Sequence, residues 1–249
     1  MLLQLCTWSE VQSYLERSRG IVVPVGSTEQ HGPNGLIGTD AICAEAVARG
    51  IGEAAEALVA PTLAIGMAQH HMAFPGTMTL RPATLIMVVR DCVESLASHG
   101  FERFFFVNGH GGNVATLGAA FQEIYAAVSL APAGRGPAVR CMLRNWWMGE
   151  AVTALSGRLF GDKEGRHATP SEVALAQHVH PEAIKPAGDI GAPATPAGDY
   201  SDAADFRRRF TDGRIGSWPQ LATPEAGREL YETAVEELAR DYRAFVTGD

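Results

Sequence analysis

A carboxylate and an imidazole stand close together just after an apolar run that is typical of a buried strand. The run IVVPV occupies residues 21–25, and Glu29 and His31 follow it in the segment GSTEQHG at 26–32. Because alternate residues of an extended chain point the same way, these two side chains face one side. A short Gly-rich loop allows Asp40 to fold back beside them. The three would form a ligand set for Zn, Mn or Fe, with Asp40 able to bridge two ions; the alternative is two helix-capping carboxylates and a loop histidine.

Another candidate ligand lies in a second glycine-rich turn. The apolar run RFFFV leads into NGHGGN at 108–113, where His110 stands between Gly109 and the pair Gly111 and Gly112. Glycines let the backbone turn sharply and pass close to a bound group. Three glycines and two asparagines around one histidine exceed what a tight turn with an exposed histidine requires. The segment therefore predicts that His110 joins the site.

The segment GRHATPSE at 165–172 supplies one more carboxylate and one more imidazole. Thr169 and Pro170 fit the N-cap and the first turn of a helix, which places Glu172 in that first turn. His167 precedes the helix and could reach the same pocket. Glu172 is either a ligand or a partner of the helix dipole, and the segment taken alone favours the dipole role.

Alternating strands and helices would bring these segments to one edge of a sheet. Strands are predicted over residues 21–27, 57–66, 101–109 and 138–147, and helices over 7–18, 41–55, 82–100, 113–128 and 223–246. Asp40 is the predicted N-cap of the second helix, and residues 186–205 are a predicted loop. The order predicts an α/β fold, with a mostly parallel sheet and helices on both faces, in a single domain over 1–249. Ligand loops of such sheets follow the carboxyl ends of the strands, as Glu29, His31 and His110 do.

Five further side chains fall on the same predicted edge and would shape a substrate pocket. They are His70, His71 and Phe74 after the second strand, and Trp146 and Trp147 at the end of the fourth. Aromatic and imidazole rings offer an apolar surface together with a polar atom. The alternative is a buried aromatic pair and two surface histidines.

The composition excludes some classes of function. The chain has 20 Lys and Arg against 28 Asp and Glu, a net charge of −8, whereas nucleic-acid sites need clustered basic residues. No apolar run is long enough to span a bilayer, and the N-terminal segment lacks the features of a signal peptide. Four scattered cysteines without a C-x-x-C pair favour a reducing compartment. The sequence therefore predicts a soluble, cytoplasmic protein with no nucleic-acid or membrane partner.

Taken in order, the motifs resemble those of the creatininase family of metal-dependent amidohydrolases. The matching stretches are PVGSTEQHG with GTD at 38–40, HMAFPGTMTL at 71–80, NGHGGN at 108–113, HATPSE at 167–172 and GRIGSWPQLATPEAGREL at 213–230. They run in family order over nearly the whole chain, and the first and third are specific together. The resemblance implies a three-layer α/β/α sandwich and a homohexamer.

For the site, the resemblance implies two divalent metal ions per chain bridged by water. Zn, Mn and Fe(II) accept the same ligands, so the metal is not identified. The family's ligand positions are matched by Glu29, His31, Asp40 and His110, with Asp40 as the bridge. His167 and Glu172 match the H-x4-E spacing of a later family motif, in which the histidine assists proton transfer.

Three departures separate the chain from creatininase itself. Gly112 stands where creatininase has a glutamate ligand, which leaves Glu172 as the best replacement. Asn34, in NGLI at 34–37, replaces a histidine of the pocket wall. The later motif reads HATPSEVA, with one acidic residue and a Thr-Ser pair fewer. The chain is therefore placed in the wider family, and the substrate of creatininase is not transferable.

Residues and resemblance together predict a hydrolase of a linear or cyclic C–N, amide-type bond in a small molecule, acting through a metal-bridging hydroxide. A formamide or a lactam fits this chemistry as well as creatinine does. Three alternatives stay open. They are hydrolysis of a C–C bond in a cyclic keto-sugar on the same metals, a non-catalytic metal- or ligand-binding oligomer, and a metal-free α/β binder of sugars or nucleotides.

Overall fold

Four parallel strands form the centre of the protein. The computed structural model describes residues 1–131, 138–195 and 199–248. The strands are β1 Gly20–Val25, β2 Leu58–Val59, β3 Arg103–Asn108 and β4 Arg140–Asn145. They form one sheet in the order β2-β1-β3-β4, and every neighbouring pair is parallel. The predicted parallel sheet is confirmed.

Helices cover both faces of this sheet. Those within the described residues are α1 Trp8–Leu15, α2 Thr39–Ala54, α3 Pro82–Ala97, α4 Asn113–Ser129, α5 Glu150–Phe160, α6 Pro170–Val179, α7 Ala203–Arg209 and α8 Pro224–Thr247. None of these helices combines the length and apolarity that crossing a bilayer requires.

Alternate strand residues supply two separate cores, because successive side chains of a strand point to opposite faces. Val22 and Phe105 pack on one face with buried residues of α2, α5, α6 and α8. Ile21, Phe104 and Phe106 pack on the other face with buried residues of α1, α3 and α4. The result is the three-layer α/β/α arrangement that the sequence predicted.

Threonine caps begin several of the helices. Thr7 forms a capping box with Glu10 at the start of α1, and Thr169 forms one with Glu172 at the start of α6. The Thr223 side chain accepts a hydrogen bond from the third backbone N–H after it and so caps α8. These residues end the preceding loops at defined positions, and in α6 the cap also orients a candidate ligand.

Three predictions about the elements are wrong in detail. The strand predicted over 57–66 has only the two residues of β2. Ala60 donates to Val22 and then Leu63 to Pro24, so an extra residue interrupts the regular pairing with β1. Asp40 does not cap α2: the N-cap is Gly38, and Asp40 lies in the first turn with its carboxylate turned toward two histidines. The loop predicted over 186–205 ends earlier, since α7 begins at Ala203.

Candidate metal centre

Six side chains with metal-binding or proton-transfer chemistry meet at the carboxyl edge of the sheet. They are Glu29 and His31 after β1, Asp40 in the first turn of α2, His110 after β3, and His167 and Glu172 at the start of α6. All but Glu172 are buried, and Glu172 is half-buried.

Asp40 lies at the middle of this group. Its Oδ1 accepts a hydrogen bond from Nε2 of His31 at 2.9 Å. Its Oδ2 lies 3.1 Å from Nδ1 of His110 without the geometry of a hydrogen bond. Each carboxylate oxygen of Asp40 thus faces a different histidine.

Asp40 belongs to two groups of three potential ligands. One consists of Glu29, Asp40 and His110, and the other of His31, Asp40 and Glu172. Within each group the ligating atoms lie within 4.8 Å of one another. Two groups that share one carboxylate have the arrangement that a pair of bridged ions requires.

Glu29 presents its carboxylate to several partners at once. Its Oε2 accepts a hydrogen bond from Oγ of Ser27 at 2.7 Å and lies 3.2 Å from Nε2 of His110. Its Oε1 lies 3.1 Å from Nε2 of His71 but has no hydrogen-bond partner. Since Glu29 is 0% exposed, this oxygen is buried without a donor, which is unfavourable unless a cation or another donor is bound.

The His31 ring is oriented by the backbone. Its Nδ1 donates to the carbonyl oxygen of Glu29 at 3.1 Å. A ring held in this way directs the other nitrogen, Nε2, toward Asp40 and Glu172. Ligating histidines in metalloproteins are usually fixed through their second nitrogen by such a hydrogen bond.

The carboxylates and imidazoles shift one another's pKa values strongly. Burial lowers the pKa of His31, but Asp40, Glu172 and Glu29 outweigh burial and raise it to about 10. In the same way burial is outweighed by Glu29 and Asp40 at His110, whose pKa is raised to about 9. Burial alone would raise the pKa of Asp40, but the two histidines hold it well below its usual range. The centre therefore holds positive charge close to its carboxylates, the place that metal ions would take.

The pKa values of Glu172 and His167 shift in the directions that favour their neutral forms. Burial raises the pKa of Glu172 to about 7, although His31 opposes this effect. Burial, followed by the neighbouring His71 and His31, lowers the pKa of His167 well below its usual range. The lowered pKa keeps the imidazole of His167 neutral near neutral pH in the metal-free protein.

Glu172 serves the helix and the centre with the same oxygen. Its Oε1 accepts a hydrogen bond from the backbone N–H of Thr169 at 2.6 Å, and its own N–H donates to Oγ1 of Thr169 at 3.2 Å. The same Oε1 lies 3.8 Å from Nε2 of His31. The two roles left open by the sequence are therefore both compatible with the position of this side chain.

Gly112 leaves no room for a side chain beside the His110 ring. A Cβ atom at this position would lie 2.4 Å from Nε2 of His110 and 2.6 Å from the carbonyl oxygen of Met67. The glutamate that creatininase carries here would displace the His110 ring of this chain. Glu172 forms a group of potential ligands with His31 and Asp40, and its role as the replacement stays a prediction.

A cavity of about 640 Å³ opens on the centre. Asp40, His110, His167 and Glu172 form its floor, and Trp146, Trp147 and Arg166 are among its other lining residues. Trp146 is also part of the core beneath α5, so only part of its ring is available to a ligand.

The remaining predicted pocket residues lie elsewhere. His71 packs against His167 with ring centroids 4.3 Å apart, and His70 stacks near Tyr200 at 5.2 Å. Phe74 belongs to a small apolar cluster with Phe206. Asn34 lines a separate small cavity between the loop after β1 and α6. None of these four predicted residues is among those lining the 640 Å³ cavity.

Sequence reasoning missed two buried polar residues, Gln30 and Arg214. The Gln30 amide lies 2.9 Å from nitrogens of both His71 and His167, and no local pattern in the sequence joins these three positions. Arg214 is fully buried, pairs with Asp212 and donates to the carbonyl oxygens of residues 190 and 191. It read as one polar residue in a weak motif, and no local pattern marks it as buried.

Comparison with known proteins gives a consistent result. A family model described as creatininase, creatinine amidohydrolase, matches residues 4–242. A mycofactocin precursor peptide peptidase of Mycobacterium ulcerans is 31% identical over 245 residues, which cover 92% of this chain and 86% of that protein. The corresponding peptidase of Mycolicibacterium smegmatis is 44% identical over 106 residues, covering 40% of this chain and 42% of that protein, less than half of its length.

Two further similarities extend the range of named activities. The solved structure of a creatinine amidohydrolase (creatininase) is 26% identical, with a TM-score of 0.86 and coverage of 98% of this chain and 97% of that one. A 3-dehydro-scyllo-inosose hydrolase of Thermotoga maritima is 29% identical over 109 residues, covering 43% of this chain and 35% of that protein. The family model spans almost the whole chain and the relatives are named as hydrolases, so the chain belongs to the creatininase family of hydrolases, as a member outside creatininase proper.

Proposed function

We propose that this protein hydrolyses a C–N, amide-type bond of a small molecule with two divalent metal ions held at the carboxyl edge of its sheet. The observation that carries the proposal is the pair of three-ligand groups that share Asp40. The ions are Zn, Mn or Fe(II), since carboxylate and imidazole ligands suit all three.

The donor set fits the proposed ions. Two of its buried carboxylate oxygens, Oε1 of Glu29 and Oδ2 of Asp40, have no hydrogen-bond partner among the described residues. A buried carboxylate oxygen is stable when it is paired or coordinated. Glu29 and His110 would hold one ion, His31 and Glu172 the other, and Asp40 both.

The ions, when bound, would polarise the substrate carbonyl and lower the pKa of a water toward neutrality. The chain's own residues orient and move the proton. His167 lines the cavity beside these ligands, and in the metal-free protein its lowered pKa keeps the imidazole neutral. We propose that His167 passes this proton to the departing nitrogen.

The cavity is proposed to hold the substrate. Trp147 is half-buried on its wall and offers an apolar face, with Trp146 beneath it at a centroid distance of 6.2 Å. His70, His71, Phe74 and Asn34 stay predictions as substrate contacts, because they are not among the residues that line this cavity. Alanine substitution of Trp147 tests the pocket directly, with a raised KM expected.

The names of the relatives support a C–N bond. An amidohydrolase and a peptidase both hydrolyse such bonds, and the peptidases are similar to this chain over up to 92% of its length. A short peptide amide therefore joins lactams, formamides and cyclic ureides as a candidate substrate.

A second candidate function is hydrolysis of a C–C bond in a cyclic keto-sugar on the same ions. It is favoured by the similarity to the hydrolase named for 3-dehydro-scyllo-inosose. That similarity covers 43% of this chain, so the C–N reaction is the better supported of the two.

The test is a metal-dependent substrate screen. Purified protein is stripped with a chelator, reloaded with Zn, Mn or Fe(II), and assayed on lactams, formamides, cyclic ureides, short peptides and a cyclic keto-sugar. We expect turnover of an amide-type substrate that is lost on chelation and regained on reloading. Turnover of the keto-sugar alone would favour the second candidate, and activity that survives chelation would contradict both.

Assembly and location complete the proposal. The homohexamer and the cytoplasmic location are both carried over from the sequence and the resemblance. Sedimentation of the purified protein tests the first, and fractionation of cells tests the second.

A further inference from the structure

Gln30 connects two histidines with different predicted roles. It is buried, 6% exposed, with His71 on one side of its amide and His167 on the other. His71 is a predicted substrate contact, and His167 is the predicted proton carrier. The hydrogen bonds around Gln30 decide which nitrogen of each ring carries the proton.

The orientation of the Gln30 amide is fixed by backbone groups. The N–H of Gly32 donates to one amide atom at 2.8 Å, and because an N–H can only donate, that atom is the oxygen, Oε1. The other atom, Nε2, donates to the carbonyl oxygen of Gly213 at 3.1 Å. One of the two Nε2 hydrogens is therefore already used.

The second hydrogen has two candidate acceptors. Nδ1 of His71 and Nε2 of His167 both lie 2.9 Å from Nε2 of Gln30. Nε2 of His167 has another partner, the backbone carbonyl oxygen of Gln30 at 2.8 Å, to which it can donate. Nδ1 of His71 has no second partner among the described hydrogen bonds, so it takes the amide hydrogen.

Both rings then carry their proton on Nε2, but they turn different nitrogens toward Glu29. His71 turns its protonated Nε2 and His167 its unprotonated Nδ1. Nε2–H of His71 lies 3.1 Å from Oε1 of Glu29, the oxygen that Ser27 does not hold. Nδ1 of His167, which has no proton, lies 3.8 Å from the same oxygen. We propose that Gln30 is a positioning residue whose side chain places the proton of His71 on Nε2, the nitrogen nearer Glu29, while its backbone carbonyl leaves Nδ1 of His167 with a free lone pair toward the metal centre.

This assignment divides the work of the two histidines. His71 cannot ligate an ion through Nε2 while that atom carries a proton. His167 can accept a proton or approach an ion through Nδ1. The inference rests on the proposed function only for what the two histidines do during hydrolysis. Their tautomers are a property of the metal-free chain.

Nuclear magnetic resonance reads the tautomers directly. Protein labelled with 15N-histidine, free of metal, gives separate long-range 1H–15N patterns for rings protonated at Nδ1 or at Nε2. The chain has eight histidines. The patterns of His71 and His167 are identified with the variants His71→Gln and His167→Gln, each of which removes one pattern. In wild-type protein both rings are expected in the neutral Nε2–H form.

The Gln30→Glu substitution distinguishes the role of the Gln30 side chain from that of its backbone carbonyl. The carboxylate accepts where the amide donated, so Nδ1 of His71 is expected to gain a proton. His167 is held by the backbone carbonyl, which the substitution leaves in place, and keeps its pattern. Gln30→Met, which can neither donate nor accept, is expected to leave His71 as a mixture of tautomers. Gln177→Glu changes another buried glutamine, in α6, and should alter neither ring.

Three results would overturn the inference. One is a wild-type His71 protonated at Nδ1, and another is a His71 pattern that is the same in wild type, Gln30→Glu and Gln30→Met. The third is a His167 pattern that changes together with that of His71, because the Gln30 side chain would then set the tautomers of both rings. Absence of metal binding or of turnover would instead count against the proposed function and leave these readings valid.

Discussion

One carboxylate oxygen of Glu172, Oε1, contacts both the backbone at the start of α6 and a histidine of the centre. The oxygen that accepts from the Thr169 N–H at 2.6 Å also lies 3.8 Å from Nε2 of His31. The first contact begins α6, and the second joins Glu172 to the ligand group of Asp40. A substitution that keeps the first contact and removes the charge separates the two.

Glu172→Gln is that substitution. Glutamine can still accept from the Thr169 N–H and complete the capping box, so the melting temperature of the metal-free protein should barely change. The loss of a charged ligand should reduce metal content and activity together. Calorimetry of metal-free protein and elemental analysis measure the two effects. A variant with full metal content that is less stable by about 0.3–1 kcal/mol would leave Glu172 with the helix dipole alone.

His167→Ala tests the proton carrier. A general acid or base contributes about 10²–10⁴-fold, so kcat on the best substrate of the screen should fall by that factor while metal content stays near wild type. His178→Ala, at the end of α6 beside Tyr231, is the matched control and should change neither. Wild-type kcat in His167→Ala would exclude the proton-transfer role, and loss of metal would make His167 a ligand.

The residues of the centre differ in how far the sequence reveals them. Glu29, His31 and His110 stand in glycine-rich segments after apolar runs, and this local pattern predicts their position at the sheet edge. Gln30 has no such pattern, because its partners lie at positions 71 and 167 and come together only through the fold. Arg214 is hidden for the same reason, since its partners include carbonyl groups more than twenty residues away.

Among the elements, α6 carries the candidate ligand Glu172 in its first turn, where the N-terminal cap orients it. Thr169→Ala removes the hydroxyl that accepts from the Glu172 N–H and should lower the free energy of unfolding by about 1 kcal/mol. A frayed first turn also holds Glu172 less firmly, so metal affinity should fall as well.

Thr223→Ala is the control for this prediction, because Thr223 caps α8 through the same type of hydrogen bond. It should lower stability by a similar amount and leave metal affinity unchanged. Denaturant unfolding and metal titration of both variants give the comparison. Equal metal affinity in the two variants would show that the α6 cap does not position the ligand.

The sequence predicts elements well where a local rule sets their ends. Thr169 followed by Pro170 marks the start of α6, and Pro82 marks the first turn of α3. The rule fails at Asp40, a good capping residue whose carboxylate is turned to His31 and His110 instead. It fails at β2 as well, where the apolar residues continue but an extra residue between Ala60 and Leu63 interrupts the pairing with β1.

At the scale of the whole molecule, the order of strands and helices was enough to predict a parallel sheet with a site at its carboxyl edge. The substrate could not be predicted in the same way. Cavity shape depends on Trp147, Arg166 and segments far apart in the chain, which no local pattern brings together.

Removal of metal should destabilise the whole protein. Without ions the centre keeps two buried carboxylates, with Glu29 0% and Asp40 3% exposed, and ligands that bind only the folded state stabilise it by about 2.7 kcal/mol at 100 times Kd. Thermal melting with a chelator and with increasing Zn or Mn measures this effect. We expect the melting temperature to rise with metal concentration. A melting temperature that does not depend on metal would mean that no ion binds the folded centre.

Counting the metal ions per chain tests the shared-ligand centre most directly. Elemental analysis of wild-type protein should find close to two divalent ions per chain. The Asp40→Asn variant should lose most of both, because a carboxylate bridges two ions and an amide does so poorly. A wild-type protein with one ion or none, or an Asp40→Asn variant that keeps both, would contradict this account.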